Sequence, residues 1–165
     1  MENVSKNLDP KIFCVPFHFI GRDPVVQDIN SWLQDGSHGV VIALLYGIGG
    51  VGKTAIAKSV YNQNFYKFQG KSFLSNCRSK DIVFLHRQLL SNILKKTIDE
   101  INNEDEGIPK IKDALCCRRT LIVLDDVDKK DQFNKIFGMQ NWLCKGSKII
   151  VTTRNKGLFS ANDIE

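Results

Sequence analysis

The stretch GIGGVGKT, from Gly47 to Thr54, combines the residue types that bind phosphate groups. It fits the pattern G-x-x-x-x-G-K-[ST] at every fixed position. Glycines let backbone N–H groups converge on phosphate oxygens, and a following helix N-terminus adds partial positive charge. Lys53 can reach the β- and γ-phosphates, and the Thr54 hydroxyl can ligate Mg²⁺. The motif predicts a nucleoside-phosphate site, the alternative being a glycine-rich turn with a chance lysine.

Two aspartates follow the apolar run TLIVL. Asp125, at the carboxyl end of this predicted strand, has the position of a Walker B acid and is expected to hold Mg²⁺ through water. Asp126 can orient or deprotonate a water that attacks the γ-phosphate. The alternative for an acid after a strand is a helix cap, which we assign to Asp128. Asp125 and Asp126 are therefore the predicted catalytic residues, with Thr54 and Asp125 as the predicted metal ligands.

Two further segments carry candidate binding residues. Arg154 follows the run KIIVTT and can reach a γ-phosphate, so its contacts would differ between the di- and triphosphate states. A surface arginine is the alternative. In FIGRD, Ile20 and Gly21 can offer apolar contact and backbone hydrogen bonds to a base, whereas Arg22 can equally pair with a nearby acid.

Strands and helices alternate along the chain, which predicts an α/β fold with a mostly parallel sheet. The predicted strands are VVIALLY, KSFLSNC, TLIVLDDVD and SKIIVTTR. The predicted helices are GRDPVVQDINSWLQDG, KTAIAKSVYNQNF, DIVFLHRQLLSNILKKTI, IPKIKDALCC and KKDQFNKIF. DEINNEDEG is predicted to be a polar, acidic loop, and residues 1–18, with Pro10 and Pro16, an extended lead-in. Ligands of such folds bind at the carboxyl ends of the strands, where three of the four predicted strands end in polar residues.

The amino-acid composition argues against several classes of protein, among them membrane-spanning and nucleic-acid-binding proteins. The 165 residues are 42% hydrophobic and 25% charged, ordinary values for a soluble domain, and no run approaches the ~20 apolar residues of a membrane span. The start lacks the layout of a signal peptide. Five cysteines without CxxC spacing predict reduced, mostly buried thiols in a cytoplasmic protein, with the nucleus as the other compartment considered. The net charge of +5 is scattered, which disfavours nucleic-acid binding.

Taken in this order, the motifs resemble the NB-ARC domain of plant nucleotide-binding leucine-rich-repeat immune receptors, which are P-loop ATPases of the STAND class. The resemblance runs from about Phe19 to Asn155. GIGGVGKT is similar to the family's P-loop, KSFLSNCR to its RNBS-A motif, TLIVLDDVD to kinase 2 and GSKIIVTTR to kinase 3. Asp128 at the end of kinase 2 resembles the subclass with an N-terminal TIR domain.

The resemblance implies an ADP/ATP switch, off with ADP and on with ATP, with Mg²⁺ as a cofactor and weak ATPase activity at most. Its implied partners in a full receptor are the TIR, ARC and leucine-rich-repeat domains and, on activation, other copies. Ile20 and Arg22 would lie near adenine and ribose, and Arg154 would sense the γ-phosphate. The cofactor-binding positions it implies are Ile20, Arg22, Gly47, Gly49, Gly50, Val51, Gly52, Lys53, Thr54, Ala55 and Arg154. Two positions depart from the family pattern: Ala55 replaces a second Thr or Ser, and Cys77 replaces a Val or Ile.

The resemblance also implies a sheet order of 5-1-4-3-2 and a chain truncated before the fifth strand. We expect a lead-in at residues 1–18 and a C-terminally incomplete nucleotide-binding subdomain at 19–165. Without a fifth strand, Val40–Tyr46 is expected to be an exposed apolar edge that makes the chain poorly soluble. Other functions considered are a P-loop kinase, a nucleic-acid-dependent ATPase, and a fragment without activity of its own.

Overall fold

A parallel sheet of five strands lies between two layers of helices in the computed structural model, which describes residues 11–16, 22–34, 41–47, 51–137 and 143–159. The strands are β1 (Lys11–Pro16), β2 (Val41–Tyr46), β3 (Gly70–Leu74), β4 (Thr120–Leu124) and β5 (Lys148–Thr153). The helices are α1 (Arg22–Gln34), α2 (Val51–Asn64), α3 (Ile82–Leu94), α4 (Glu104–Leu115) and α5 (Lys130–Phe137).

The strands are arranged in the order β1-β2-β5-β4-β3, and every neighbouring pair is parallel. The four predicted strands thus have the predicted relative order. The chain leaves β2 through α2, crosses to β3 at the far edge, and returns through β4 to β5 beside β2. The carboxyl ends of β2, β4 and β5 consequently meet at one end of the sheet, where open α/β folds bind ligands.

Apolar side chains on both faces of the sheet explain why the central strands read as continuous apolar runs. Ala43 and Leu45 belong to a core cluster with residues of α1 and α2, whereas Ile42 and Leu44 belong to a second cluster with residues of α3, α4 and α5. The prediction of an α/β P-loop fold with helices on both faces of a parallel sheet is confirmed.

The strand β1 corrects one expectation. It pairs with β2 along six residues, from Lys11 opposite Val41 to Pro16 opposite Tyr46. The prediction that β2 would be an exposed edge is therefore wrong, and the reason for expecting poor solubility is removed. Within the described ranges β1 is the edge strand on this side, and Pro16 at its end is compatible with an edge position because an edge leaves one row of backbone groups unpaired. Lys11–Pro16 is extended, as predicted for the lead-in, but it forms part of the sheet.

The start of α4 corrects a second expectation, because the helix begins at Glu104 inside the segment predicted to be an acidic loop. The Asn103 side chain accepts a hydrogen bond from the backbone N–H of Glu106 at 2.9 Å, and the Glu106 carboxylate accepts one from the backbone N–H of Asn102 at 3.0 Å. Asn103 thus caps the helix through its side chain, and Glu106 binds the backbone of the residue before the cap. The acids are stabilising there, because the helix dipole places positive charge at the N-terminus.

The cysteines are free thiols at Cys77, Cys116, Cys117 and Cys144. Only Cys77 of these four is buried, and the turn after α4 exposes Cys116 and Cys117, so the expectation of mostly buried thiols is wrong for this set. None of the helices in the described ranges is long and apolar enough to cross a membrane.

Candidate functional site

A cavity of about 530 Å³ opens at the N-terminal part of α2 and the carboxyl ends of β4 and β5. Five of the predicted site residues line it: Lys53, Thr54, Asp125, Asp126 and Arg154. Ala55, implied by the family resemblance, lines it as well. Residues separated by a hundred positions in the sequence therefore share one cavity, because parallel strands deliver their carboxyl ends to the same end of the sheet.

Lys53 is the buried cation of the site. Its residue is only 2% exposed, and its Nζ donates a hydrogen bond to the backbone carbonyl of Gly47 at 2.6 Å. Burial lowers the pKa of Lys53, as does the positive charge of Arg154 to a lesser degree, and the carboxylates of Asp126 and Asp125 oppose both effects. Because burial disfavours the charged form of a lysine, an anionic ligand would be favourable at this position.

The hydroxyls of Thr54 and Thr152 bond to the same oxygen of Asp125. Thr54 Oγ1 donates to Asp125 Oδ1 at 2.9 Å, and Thr152 Oγ1 donates to it at 2.7 Å. Asp125 is only 5% exposed, so its buried carboxylate oxygens need hydrogen-bond donors such as these. The two donors fix the carboxylate beside the first turns of α2.

These residues fit a hydrated Mg²⁺ ion. A hydroxyl oxygen keeps lone pairs after donating its proton, so Thr54 can serve a metal while bonded to Asp125. Mg²⁺ prefers hard oxygen ligands and often uses few protein groups, keeping several waters. The Thr54 hydroxyl and the Asp125 carboxylate provide this chemistry on one wall of the cavity.

Asp126 has an unusual backbone and two cationic neighbours. Its φ of +59° lies in the left-handed region, which is uncommon for a residue other than glycine, and its backbone N–H donates to Thr152 Oγ1 at 2.8 Å. Arg78 Nε lies 3.7 Å from Asp126 Oδ2, and Arg154 Nε lies 3.8 Å from Asp126 Oδ1. The carboxylate thus lies between two guanidinium groups. Arg154 is therefore a surface arginine that is paired with an acid of the site.

Several predicted positions fall outside what the structure describes. Ile20, Gly49 and Gly50 lie outside the described residues, and so do the side chains of Arg22 and Val51. For Gly47, the backbone N–H donates to the carbonyl of Thr153 at 3.3 Å, which joins the start of the glycine loop to the end of β5. Gly52 lies in the first turn of α2. Their roles toward a nucleotide remain predictions.

Four residues of this region were not identified from the sequence: Lys58, Asn76, Arg78 and Thr152. The cavity is lined by Lys58, Asn76 and Thr152 in addition to the predicted residues. Asn76 and Arg78 come from the loop after β3, whose polar ending SNCR was not counted among the strand ends that form the site. The carboxyl end of β3 lies at the same end of the sheet as those of the other parallel strands, so the same reasoning could have identified Asn76 and Arg78 from the sequence.

Comparison with known proteins agrees with this architecture. A family model described as the NB-ARC domain matches residues 22–164. Disease resistance protein RPV1 of Vitis rotundifolia is 36% identical over 168 residues, covering 99% of this chain and 12% of that protein. TMV resistance protein N of Nicotiana glutinosa is 36% identical over 156 residues, covering 89% of this chain and 14% of that protein. The chain therefore spans about an eighth of the length of these relatives.

Among solved structures, Cdc6p from Pyrobaculum aerophilum superposes with a TM-score of 0.60 at 14% identity, covering 90% of this chain and 44% of the other. A chain of the Drosophila ORC bound to DNA gives a TM-score of 0.53 at 17% identity, covering 92% of this chain and 42% of the other. At these identities the similarity shows the fold alone. The match over residues 22–164 shows that the chain belongs to the NB-ARC family, and membership of this family implies nucleotide binding.

Proposed function

We propose that this chain is the ADP- and ATP-binding switch module of an intracellular plant immune receptor of the TIR-type subclass, with slow ATP hydrolysis. The observation that carries the proposal is the convergence of Lys53, Thr54, Asp125 and Arg154 on one cavity at the carboxyl ends of the strands. Together these residues offer a cation for phosphate, oxygen ligands for Mg²⁺ and a second cation at the cavity wall.

Lys53 binds the phosphates in this proposal. Its ammonium group is buried and bonded to the Gly47 carbonyl, so it is already positioned beside the glycine loop. Because burial disfavours the charged form, a phosphate anion in the cavity would stabilise Lys53⁺ and gain more than it would from an exposed lysine. The N-terminus of α2 adds partial positive charge at the same place.

Thr54 and Asp125 hold Mg²⁺ in this proposal, while Thr152 keeps the Asp125 carboxylate oriented. When bound, Mg²⁺ would neutralise negative charge on the phosphates. The backbone of Asp125 is held in place, because its N–H donates to the Leu74 carbonyl at 2.8 Å in continuation of the β3–β4 pairing.

Arg154 and Asp126 distinguish the two nucleotide states in this proposal. Arg154 is 52% exposed and has an acidic neighbour in Asp126, so a γ-phosphate would offer it a competing anion. Asp126 would take a proton from the attacking water as the bond between Pγ and the bridging oxygen breaks, leaving ADP and phosphate. We expect slow hydrolysis because Arg78 still pairs with one oxygen of this carboxylate after Arg154 has moved to the γ-phosphate.

The receptor context is also part of the proposal. The similarity to disease resistance proteins, of which this chain spans about an eighth, supports a role in plant defence. We infer that TIR, ARC and leucine-rich-repeat domains accompany this module in a full receptor, that copies associate in the ATP state, and that the protein acts in the cytoplasm, with the nucleus as a second compartment.

Calorimetric titration with ADP and Mg²⁺ tests nucleotide binding. We expect the native chain to bind one equivalent and Lys53→Arg to bind at least about tenfold more weakly. The larger, planar guanidinium would not reproduce the position of the buried Lys53 ammonium, and the charged hydrogen bond to phosphate that is lost contributes about 1.5–3 kcal/mol. Lys112→Arg, an exposed position on α4, is the matched control and should bind as the native chain does. Equal binding by Lys53→Arg and the native chain would refute the phosphate assignment.

The metal assignment has its own test. Asp125→Ala should remove the dependence of ADP binding on Mg²⁺ while leaving metal-free ADP binding measurable, because Lys53 is still present. If the affinity of Asp125→Ala still rises with Mg²⁺ as in the native chain, Asp125 does not serve the metal.

A further inference from the structure

The loop after β3, Ser75–Lys80, is fixed to the two acids of the site; we call it the β3 loop. The backbone N–H of Cys77 donates to the carbonyl of Asp125 at 2.8 Å, and that of Arg78 donates to the carbonyl of Asp126 at 2.9 Å. These bonds continue the β3–β4 pairing beyond the ends of the strands. The loop and the acids therefore form one rigid unit.

Buried contacts beneath the β3 loop hold it further. The Cys77 side chain is buried, its Sγ donates to the Leu74 carbonyl at 3.3 Å, and burial, followed by the Asp125 charge, raises the pKa of this thiol to about 12. Gln132 on α5 donates its side-chain amide to the Cys77 carbonyl. With its neighbour anchored on two sides, the backbone of Arg78 has a fixed position relative to Asp126.

Arg78 and Arg154 approach different oxygens of the same carboxylate. Arg78 Nε lies 3.7 Å from Oδ2 of Asp126, and Arg154 Nε lies 3.8 Å from Oδ1. The Asp126 side chain is 20% exposed, against 45% for Arg78 and 52% for Arg154. Arg154 lines the cavity, whereas Arg78 belongs to the loop that is bonded to the Asp126 backbone. A ligand in the cavity can therefore draw away Arg154 while Arg78 stays.

We propose that Arg78 is a positioning residue for nucleotide discrimination: by sharing the Asp126 carboxylate, it weakens the hold of that carboxylate on Arg154 and leaves Arg154 available to a γ-phosphate. This inference rests on the proposed function. A carboxylate that is partly neutralised by one cation attracts a second cation less. Without Arg78, the charge of Asp126 acts on Arg154 alone, and the transfer of Arg154 to a γ-phosphate costs more.

A purely structural role of Arg78 makes a different prediction. If Arg78 only held the β3 loop in place, its loss would weaken ADP and ATP binding equally and lower stability. The positioning role instead changes the ratio of the two affinities, and it does so only while the Asp126 carboxylate is present. The ratio of dissociation constants and its dependence on Asp126 therefore separate the two roles.

The experiment measures dissociation constants of the 165-residue chain for ADP and for a non-hydrolysable ATP analogue, both with Mg²⁺. In Arg78→Gln, the preference for the ATP analogue over ADP should fall about two- to fivefold, the range expected for partly exposed ion pairs. In the Asp126→Asn background, adding Arg78→Gln should leave the preference unchanged. Lys80→Gln, which removes the same charge from the same loop without pairing to Asp126, should keep the native preference.

Arg78→Lys keeps the charge and should keep most of the preference, which leaves a usable comparison if Arg78→Gln does not fold. A native chain that binds neither nucleotide refutes the proposed function and this inference together. A native chain that binds both, with a preference unchanged in Arg78→Gln, refutes this inference alone. Equal weakening of both nucleotides, or the same change of preference in the Asp126→Asn background, overturns the positioning role as well.

Discussion

The hydroxyl of Thr152 connects the two acids of the site, and its removal is a direct test of how the site is built. The buried Thr152 Oγ1 donates to Asp125 Oδ1 at 2.7 Å and accepts from the backbone N–H of Asp126 at 2.8 Å. Thr152→Val keeps the shape of the side chain and removes only the hydroxyl. The variant therefore deprives a buried carboxylate of one donor and leaves a backbone N–H without its acceptor.

The expected loss of stability can be worked from these two bonds. A hydrogen bond to a charged group contributes about 1.5–3 kcal/mol, and an orphaned buried donor costs about 1–3 kcal/mol. Asp125 keeps its bond from Thr54 at 2.9 Å, and the remaining effects overlap, so we expect a total of about 3 kcal/mol. That is a large part of the ~5–15 kcal/mol by which native domains are stable.

Urea unfolding at pH 7, followed by circular dichroism, measures this loss. Thr152→Ser keeps the hydroxyl but deletes a methyl group, so it should cost only about 1 kcal/mol. We expect the free energy of unfolding to decrease from the native chain to Thr152→Ser and from Thr152→Ser to Thr152→Val. If Thr152→Val lies within about 0.5 kcal/mol of the native chain, the spread of an ordinary surface substitution, the hydroxyl does not stabilise the acids and the reasoning is refuted.

Two other elements make separate predictions. Burial lowers the pKa of His86, and the Lys135 carbonyl and Glu104 oppose this effect. As the pH falls, the unfolded chain therefore takes up a proton before the folded chain does. The contribution of His86 to the free energy of unfolding should be fully present above about pH 6.5 and should fall on acidification by up to ~1.4 kcal/mol per pH unit. Urea unfolding at a series of pH values should show this slope in the native chain and a flatter one in His86→Gln; equal slopes would contradict the assignment. Asn103→Ala removes the cap that accepts from the Glu106 N–H and should cost about 1 kcal/mol in urea unfolding, whereas Asn103→Ser, which keeps an oxygen acceptor and adds no charge beside Glu106, should cost much less.

The positions of the central strands along the chain and most of the site were predictable from the sequence for one physical reason, whereas the order of the strands in the sheet was implied by the family resemblance alone. Strands buried on both faces read as continuous apolar runs, and each run here is followed by polar residues that an apolar core could not accommodate. Lys53, Asp125 and Arg154 each follow the carboxyl end of a strand. Because parallel strands have their carboxyl ends at the same end of the sheet, the three residues line one cavity there.

The strand β1 and the β3 loop were not predictable in the same way. The segment Lys11–Pro16 is short and has a proline at its end, and its pairing depends on a partner some thirty residues away. The contact of Arg78 with Asp126 depends on register, because Leu74 lies opposite Leu124 and the two loops continue side by side from there. Neither local propensity nor a short motif contains that information.

The contacts of Arg154 set a limit on how much switching the described site can supply. ADP and ATP differ at the γ-phosphate, and a ligand shifts an equilibrium only by its differential affinity for the two states. A charged hydrogen bond from Arg154 to the γ-phosphate would contribute about 1.5–3 kcal/mol, less the ~0.2–1 kcal/mol of the exposed pair with Asp126 that it replaces. The net of about 0.5–3 kcal/mol corresponds to a preference of about two- to hundredfold, against the ~10⁴-fold that moves a population from 1:99 to 99:1. A complete switch therefore needs contacts beyond those of the described residues, so a full receptor should discriminate between the nucleotides far more strongly than this chain does, and equal discrimination by both would contradict the need for such contacts.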